Sequence, residues 1–160
     1  DSLAVSGFNR DGQDRRKGNF PRANAAYTLR TTASDYMKFL EALSRGTGLG
    51  KESRIAIFTP VVQAVRYAGK PRDCDQRIFW GLGVGIEKHQ KLGEVVFHWG
   101  DNGTFRSLFL VVPAKGLQPK RILVYFTNSQ AGHDVISDIT SLFFNNKEPL
   151  AIDQWVNENE

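Results

Sequence analysis

Few residues of this 160-residue chain have types and spacing suited to chemistry, and most lie in one stretch, Phe97-His98-Trp99-Gly100-Asp101-Asn102-Gly103-Thr104-Phe105-Arg106. A strand reads as ending in His-x-Gly, followed by a turn over residues 100–103 and a second strand that starts Phe-Arg-Ser. His98 is a polar residue at the end of an apolar strand. Gly100 has no side chain and leaves the strand edge open to a ligand. The backbone N–H of Asp101, just past the glycine, can be aimed at a developing oxyanion. The plainer reading of the same residues is a hairpin that carries an exposed histidine.

Other chemistries fit less well. His89, His98 and His133 have no ligand spacing, and the single Cys74 adds no cluster, so neither a metal nor a cofactor is expected. No Gly-x-Ser-x-Gly elbow occurs. A triad of Ser107 or Ser129 with His98 and Asp101 can be drawn, but three side chains this close to one turn rarely converge. Gly81-Leu82-Gly83-Val84-Gly85 is not followed by a helical pattern, which argues against a phosphate cradle. Cys74 has no partner for an intrachain disulfide, and Asp73 and Asp75 beside it disfavour a thiolate.

The elements that must position these residues follow from composition and periodicity. The apolar share of 41 % is enough for one core, and the net charge of +4 is mildly basic. Arg10, Arg15, Arg16, Lys17 and Arg22 outnumber Asp11 and Asp14 near the start. With no nucleic-acid motif beside them they read as a solvated loop, and no nucleic-acid partner is expected. No apolar run approaches the roughly 18 residues of a membrane span.

Residues 1–26 read as loop, with a short strand over 3–8. Thr32 caps a helix over 32–45, with Asp35 in its first turn and Gly46 past its end. Tyr36, Met37, Leu40 and Leu43 recur at helical spacing and read as core. A second helix over 51–58 stops before Pro60. Val61, Val62, Val65 and Tyr67 are apolar enough to be covered by something.

Residues 78–88 read as one strand with Gly81, Gly83 and Gly85 on one face and Leu82, Val84 and Ile86 on the other. After a loop at 89–93 come strands over 94–99, 105–112 and 121–127, and then a helix over 133–145 whose stripe is Val135, Ile136, Ile139, Leu142 and Phe143. The continuous apolar runs at 111–112 and 122–126 suggest burial on both faces. The expectation is a single α+β domain over residues 1–146, an antiparallel meander flanked by helices, with a loosely held tail over 147–160.

With these elements in order, the chain resembles the C-terminal part of the serine β-lactamase-like hydrolases: class C β-lactamases, penicillin-binding proteins and related esterases. His98-Trp99-Gly100 is similar to their third motif, Lys-Thr-Gly in many members and His-x-Gly in others. Ala25-Ala26-Tyr27-Thr28-Leu29-Arg30-Thr31-Thr32-Ala33-Ser34-Asp35-Tyr36-Met37-Lys38-Phe39-Leu40 is similar to the family's "small residues, then Ser/Thr-Ala-x-Asp-Leu, then Phe-Leu" helix. Trp80-Gly81-Leu82-Gly83-Val84-Gly85-Ile86 resembles its Tyr-Gly-Leu-Gly-Trp strand. Phe105-Arg106-Ser107, Pro113 and residues 124–129 resemble its ending. The likeness runs over roughly residues 5–145, four pieces in the family's order.

The departures are as informative. None of the nine serines has a lysine three residues on, and no Tyr-x-Asn or Ser-x-Asn occurs. Trp99 stands where threonine is frequent. The resemblance therefore implies a chain that supplies the third-motif wall and an oxyanion N–H, through His98, Gly100 and Asp101, but no nucleophile and no activity alone. It implies a β-lactam, D-amino-acid peptide or ester as the substrate of the complete protein. It also implies a periplasmic or extracellular setting. A fold cut this way should bare a strand edge or apolar patch and associate with a second copy or with the missing N-terminal half. Two other readings stand beside it: a non-catalytic module that binds a ligand along the same edge, and an unrelated basic domain that binds nucleic acid.

Overall fold

Thr32 Oγ1 accepts the backbone N–H of Asp35 at 3.1 Å and so opens α1 (Ala33–Arg45) in this computed structural model, which describes residues 4–65 and 72–157. Gly46 ends the helix at φ 74°, donating to Leu43 O, while Thr47 N–H reaches Ala42 O. Of the expected core stripe, Leu40 is fully buried and Tyr36 is half-buried, its ring against Phe109 and Phe126. A short loop leads to α2 (Lys51–Phe58).

The sheet has six antiparallel strands in sequence order: β1 (Val62–Gln63), β2 (Ile78–Trp80), β3 (Gly85–His89), β4 (Gly93–Asn102), β5 (Phe105–Val112) and β6 (Arg121–Thr127). Period-2 alternation gives it two apolar faces. Val95, Phe97, Leu108 and Leu110 face one way, against α3 (Ile136–Phe144) and α4 (Ala151–Asn157). Val96, Ile86, Phe109 and Val111 face the other way, against α1 and the end of α2. The fold is α+β, an antiparallel meander with helices on both sides, as expected.

Several expectations are corrected. The strand read over 78–88 is a hairpin: Trp80 pairs with Gly85, and the glycine-rich stretch between them is its turn. Alternating Gly-x-Gly mimics strand period 2, but Gly83 takes φ 84°, a left-handed conformation that bends the chain back. Only Gly85 lies in a strand, where a Cβ would stand 2.3 Å from the Phe97 ring. The missing side chain makes room for that fully buried ring, whose burial is worth about 2–3 kcal/mol.

β4 runs to Asn102, so Gly100 and Asp101 are strand residues and the turn is Gly103-Thr104. Every residue of β6 is half-buried, and not buried on both faces, because it is an edge strand. The strand expected over 3–8 is absent among the described residues, where Phe8 makes only isolated bridges to Asp14 and Ser129. Val61, Val62 and Val65 are exposed, Val65 at 80 %; Tyr67 lies outside the described residues.

The helix expected over 133–145 begins as a 3₁₀ turn (Gly132–Val135), and α3 buries Ile136, Thr140 and Phe144, while Leu142 is 83 % exposed. Of the segment expected as a loose tail, residues 150–156 are packed into the core, and residues 158–160 lie outside the described residues. Leu150, Ile152, Trp155 and Val156 are buried against the sheet. Glu87 on β3, fully buried, accepts the N–H groups of Ala151 (2.8 Å) and Ile152 (3.1 Å), capping α4 across the core. Thr140 donates to Asp153 at 2.7 Å and ties α3 to α4.

Candidate functional site

The β4–β5 hairpin sets the geometry of the site. Gly103, at φ 66°, is the first central residue of a two-residue turn flanked by Asn102 and Phe105. In such a hairpin the flanking residues form a hydrogen-bonded pair, and bonded and non-bonded pairs then alternate. Gly100–Ser107 and His98–Phe109 are bonded pairs, so the N–H and C=O groups of Trp99 and Asp101 point away from β5. On that side β3 ends at Gly85 opposite Phe97. Among the described residues no strand pairs with the outer edge of β4 beyond Phe97. Two peptide groups are thus presented along an open edge.

His98 projects on the α1 face. Its ring stacks over Phe109 with centroids 6.4 Å apart and meets Trp80 edge-on at 5.9 Å. Its Nδ1 lies 2.7 Å from the carbonyl of Trp99. A carbonyl only accepts, so Nδ1 carries the hydrogen, and in the neutral ring Nε2 holds the lone pair. An exposed, oriented acceptor beside an open strand edge can take up a proton or hydrogen-bond a substrate.

Gly100 lies on the same face, where a Cβ would come 2.5 Å from Ser107 Oγ. The glycine therefore accommodates its cross-strand neighbour as well as leaving the edge unobstructed.

Asp101 faces the other way. Its carboxylate is paired with Arg106 and accepts the N–H of Gly103 at 3.0 Å. Arg106 Nη1 also donates to the Gly103 carbonyl. The side chain locks the turn, and the peptide N–H is what Asp101 offers to the edge. The triad drawn from His98, Asp101 and a serine does not form: Ser107 shares the His98 face, Asp101 is on the opposite one, and Ser129 Oγ accepts the N–H of Ala131 elsewhere.

Trp99 points to the α3–α4 side, its ring 5.6 Å from Trp80 and 6.4 Å from Phe97. The bulky residue in place of threonine thus packs in the wall beneath the edge. Trp80 lies against both His98 and Trp99, a role that sequence reasoning missed. Its position just before the glycine turn, which returns β3 short of the end of β4, was the available signal.

Among the described residues no group of three His, Cys, Asp or Glu side chains is arranged to hold a metal, and no helix is long and apolar enough to cross a membrane.

In fold the chain is similar to a penicillin binding protein from Bacillus halodurans, at 24 % identity and a TM-score of 0.54, over 70 % of this chain and 30 % of that one. The chain thus spans less than a third of that protein's length. The family described as Beta-lactamase matches residues 4–144, and the chain belongs to it. No curated protein matches.

Proposed function

We propose that this chain forms the third-motif wall of a serine acyl hydrolase that acts on a β-lactam, a D-amino-acid peptide or an ester. The observation that carries this reading is the open β4 edge, with the Asp101 N–H directed outward beside the oriented His98 ring. In this role the Trp99 and Asp101 peptide groups align an extended substrate, and the Asp101 N–H donates to the oxyanion as the carbonyl is attacked. The attacking serine and its lysine come from residues outside this chain, since none of its serines has a lysine three residues on. Partial oxyanion stabilisation without a nucleophile yields no acyl-enzyme.

The exposed Val61, Val62, Val65 and Leu82 lie along the β1–β2 side and suit a covering segment, either the nucleophile-bearing half or a second copy of the chain. The test is acylation by a fluorescent penicillin. This chain alone remains unlabelled, and the full-length gene product is labelled at a serine of Ser-x-x-Lys. A full-length product without that motif sinks the reading. Binding along the edge without turnover by that product favours the non-catalytic module.

A further inference from the structure

Trp80 closes β2 on a backbone held from both sides. Its carbonyl accepts the N–H of Val61 at 2.9 Å, and the N–H of Gly81 donates to the Val84 carbonyl at 2.8 Å. A Cβ on Gly81 would collide with the Ile57 carbonyl oxygen, so the glycine lets the chain pass close to the end of α2. Across the sheet Trp80, Gly85 and Phe97 lie in one row. Trp80 and Phe97 are two strands apart, roughly 10 Å between backbones. Their ring centroids are nevertheless 6.0 Å apart, because Gly85 puts no side chain between them. The half-buried indole is thereby brought to the corner where β3 stops and the β4 edge opens.

His98 reaches the same corner from the other face. The Trp99 carbonyl points away from β5, so an imidazole whose Nδ1 reaches it leans over the edge. An exposed hydrogen bond of this kind contributes little by itself. An exposed imidazole otherwise has several rotamers and two neutral tautomers open to it. The neighbouring rings narrow that choice. Phe109 stacks against the imidazole at an interplanar angle of 28°, and Trp80 meets it edge-on at 60°. His89 supplies the contrast. Its Nδ1 accepts the N–H groups of Lys91 at 3.1 Å and Leu92 at 3.2 Å, which puts the hydrogen of the neutral ring on Nε2.

We propose that Trp80 is a positioning residue of this corner: its indole holds the His98 ring over the β4 edge with the hydrogen on Nδ1 and the lone pair on Nε2. An imidazole held this way accepts a substrate hydrogen at Nε2, whereas the other tautomer would present a donor there. The functional meaning of the role rests on the reading of the β4 edge as a substrate edge; the ring geometry does not.

The experiment reads the protonation of each imidazole nitrogen by NMR in this chain with isotope-labelled histidine, at a pH where the rings are neutral. His98→Gln assigns the His98 signals. The parent is expected to carry the His98 hydrogen on Nδ1 and the His89 hydrogen on Nε2. Trp80→Leu keeps the apolar bulk and removes the aromatic edge. It should lower the His98 ratio of Nδ1–H to Nε2–H roughly threefold, as loss of one aromatic pair does, and leave His89 unchanged. Trp80→Phe should restore most of that ratio.

A ratio unaltered in Trp80→Leu, or lowered equally in Trp80→Phe, overturns the proposal, and so does a parent with the His98 hydrogen on Nε2. His98 and His89 moving together in both variants marks a general loosening of the sheet and overturns it too. One measurement needs no variant: cross-relaxation between the His98 ring protons and the Trp80 indole in the parent, whose absence overturns the proposal. None of these readouts involves a substrate. A His98 tautomer that depends on Trp80, with a full-length gene product that penicillin does not acylate, keeps the positioning role and sinks the edge reading. Acylation with a tautomer indifferent to Trp80 does the reverse.

Discussion

Asp101 and Arg106 form an ion pair across the β4–β5 hairpin, on the face of the sheet opposite His98. The pair joins the last turn of the hairpin to the side chain of a nearly buried arginine and leaves the Asp101 peptide group free to serve the edge. The ion pair made by the carboxylate and the oxyanion role proposed for the backbone N–H are separable by mutation.

Asp101→Asn should therefore cost stability. It removes one charge partner of a largely buried guanidinium, a loss of about 1–3 kcal/mol, discounted because the Asp101 side chain is half-exposed. Denaturant melts measure this. Under the proposed function, the acylation rate per folded molecule of the full-length gene product should stay within a few-fold of the parent, since the N–H persists.

Gly100→Ala should cost roughly 1–2 kcal/mol, because its Cβ would stand 2.5 Å from Ser107 Oγ. Ser107→Ala removes the obstructing atom and should restore most of the loss. A double-mutant cycle by urea unfolding reads the coupling. Additive effects would show that the glycine is not there to accommodate Ser107.

Trp155→Ala should destabilise the chain by about 3–5 kcal/mol, as truncation of a large buried ring does. Removal of residues 150–160 should leave a chain without a cooperative thermal transition, because Leu150, Ile152, Trp155 and Val156 complete one face of the core.

The α3–α4 junction sets a pH dependence. Burial raises the Asp153 carboxyl to about 7, with the Thr140 hydrogen bond lowering it and the charge of Glu87 raising it further. The native state thus holds a proton that the unfolded chain, near 3.8, releases. This group's contribution is fully present below pH 4, falls as pH rises from there through about 7, and is constant above. The swing is on the order of a few kcal/mol.

Glu87, also raised by burial, acts with the same sign; it faces Arg77, while Glu148 adds repulsion. His89 is lowered by burial and acts with the opposite sign just below its ordinary range. Comparing Asp153→Asn with the parent between pH 4 and 8 isolates the Asp153 slope, which should vanish in the variant.

Local signals made much of this structure readable in advance. Thr32 and Gly46 bracket α1 with side-chain and left-handed caps, and β5 and β6 fall where short turns and β-branched runs place them. The hairpin that carries His98 was visible too, but its turn was placed too early. That shift hid the face to which Asp101 belongs, since strand side chains alternate.

The β2–β3 turn was hidden because Gly81-Leu82-Gly83-Val84-Gly85 has the period of a strand. α4 was hidden because it is short and buries polar groups: Asp153 is fully buried on a hydrogen bond from Thr140, and Glu87 caps the helix from a distant strand. Such partners are non-local and leave no periodic trace. The basic loop, read as solvated, is exposed over residues 10–27; what its charge does not reveal is the contact between Asn102 and Tyr27.

Among the described residues the strands lie side by side in the order in which they are made, each pairing with its immediate predecessor and successor. Such a sheet can assemble hairpin by hairpin, with small loop-closure costs and without waiting for distant sequence. A polypeptide built this way is suited to reach the shape of its sheet from neighbouring sequence alone.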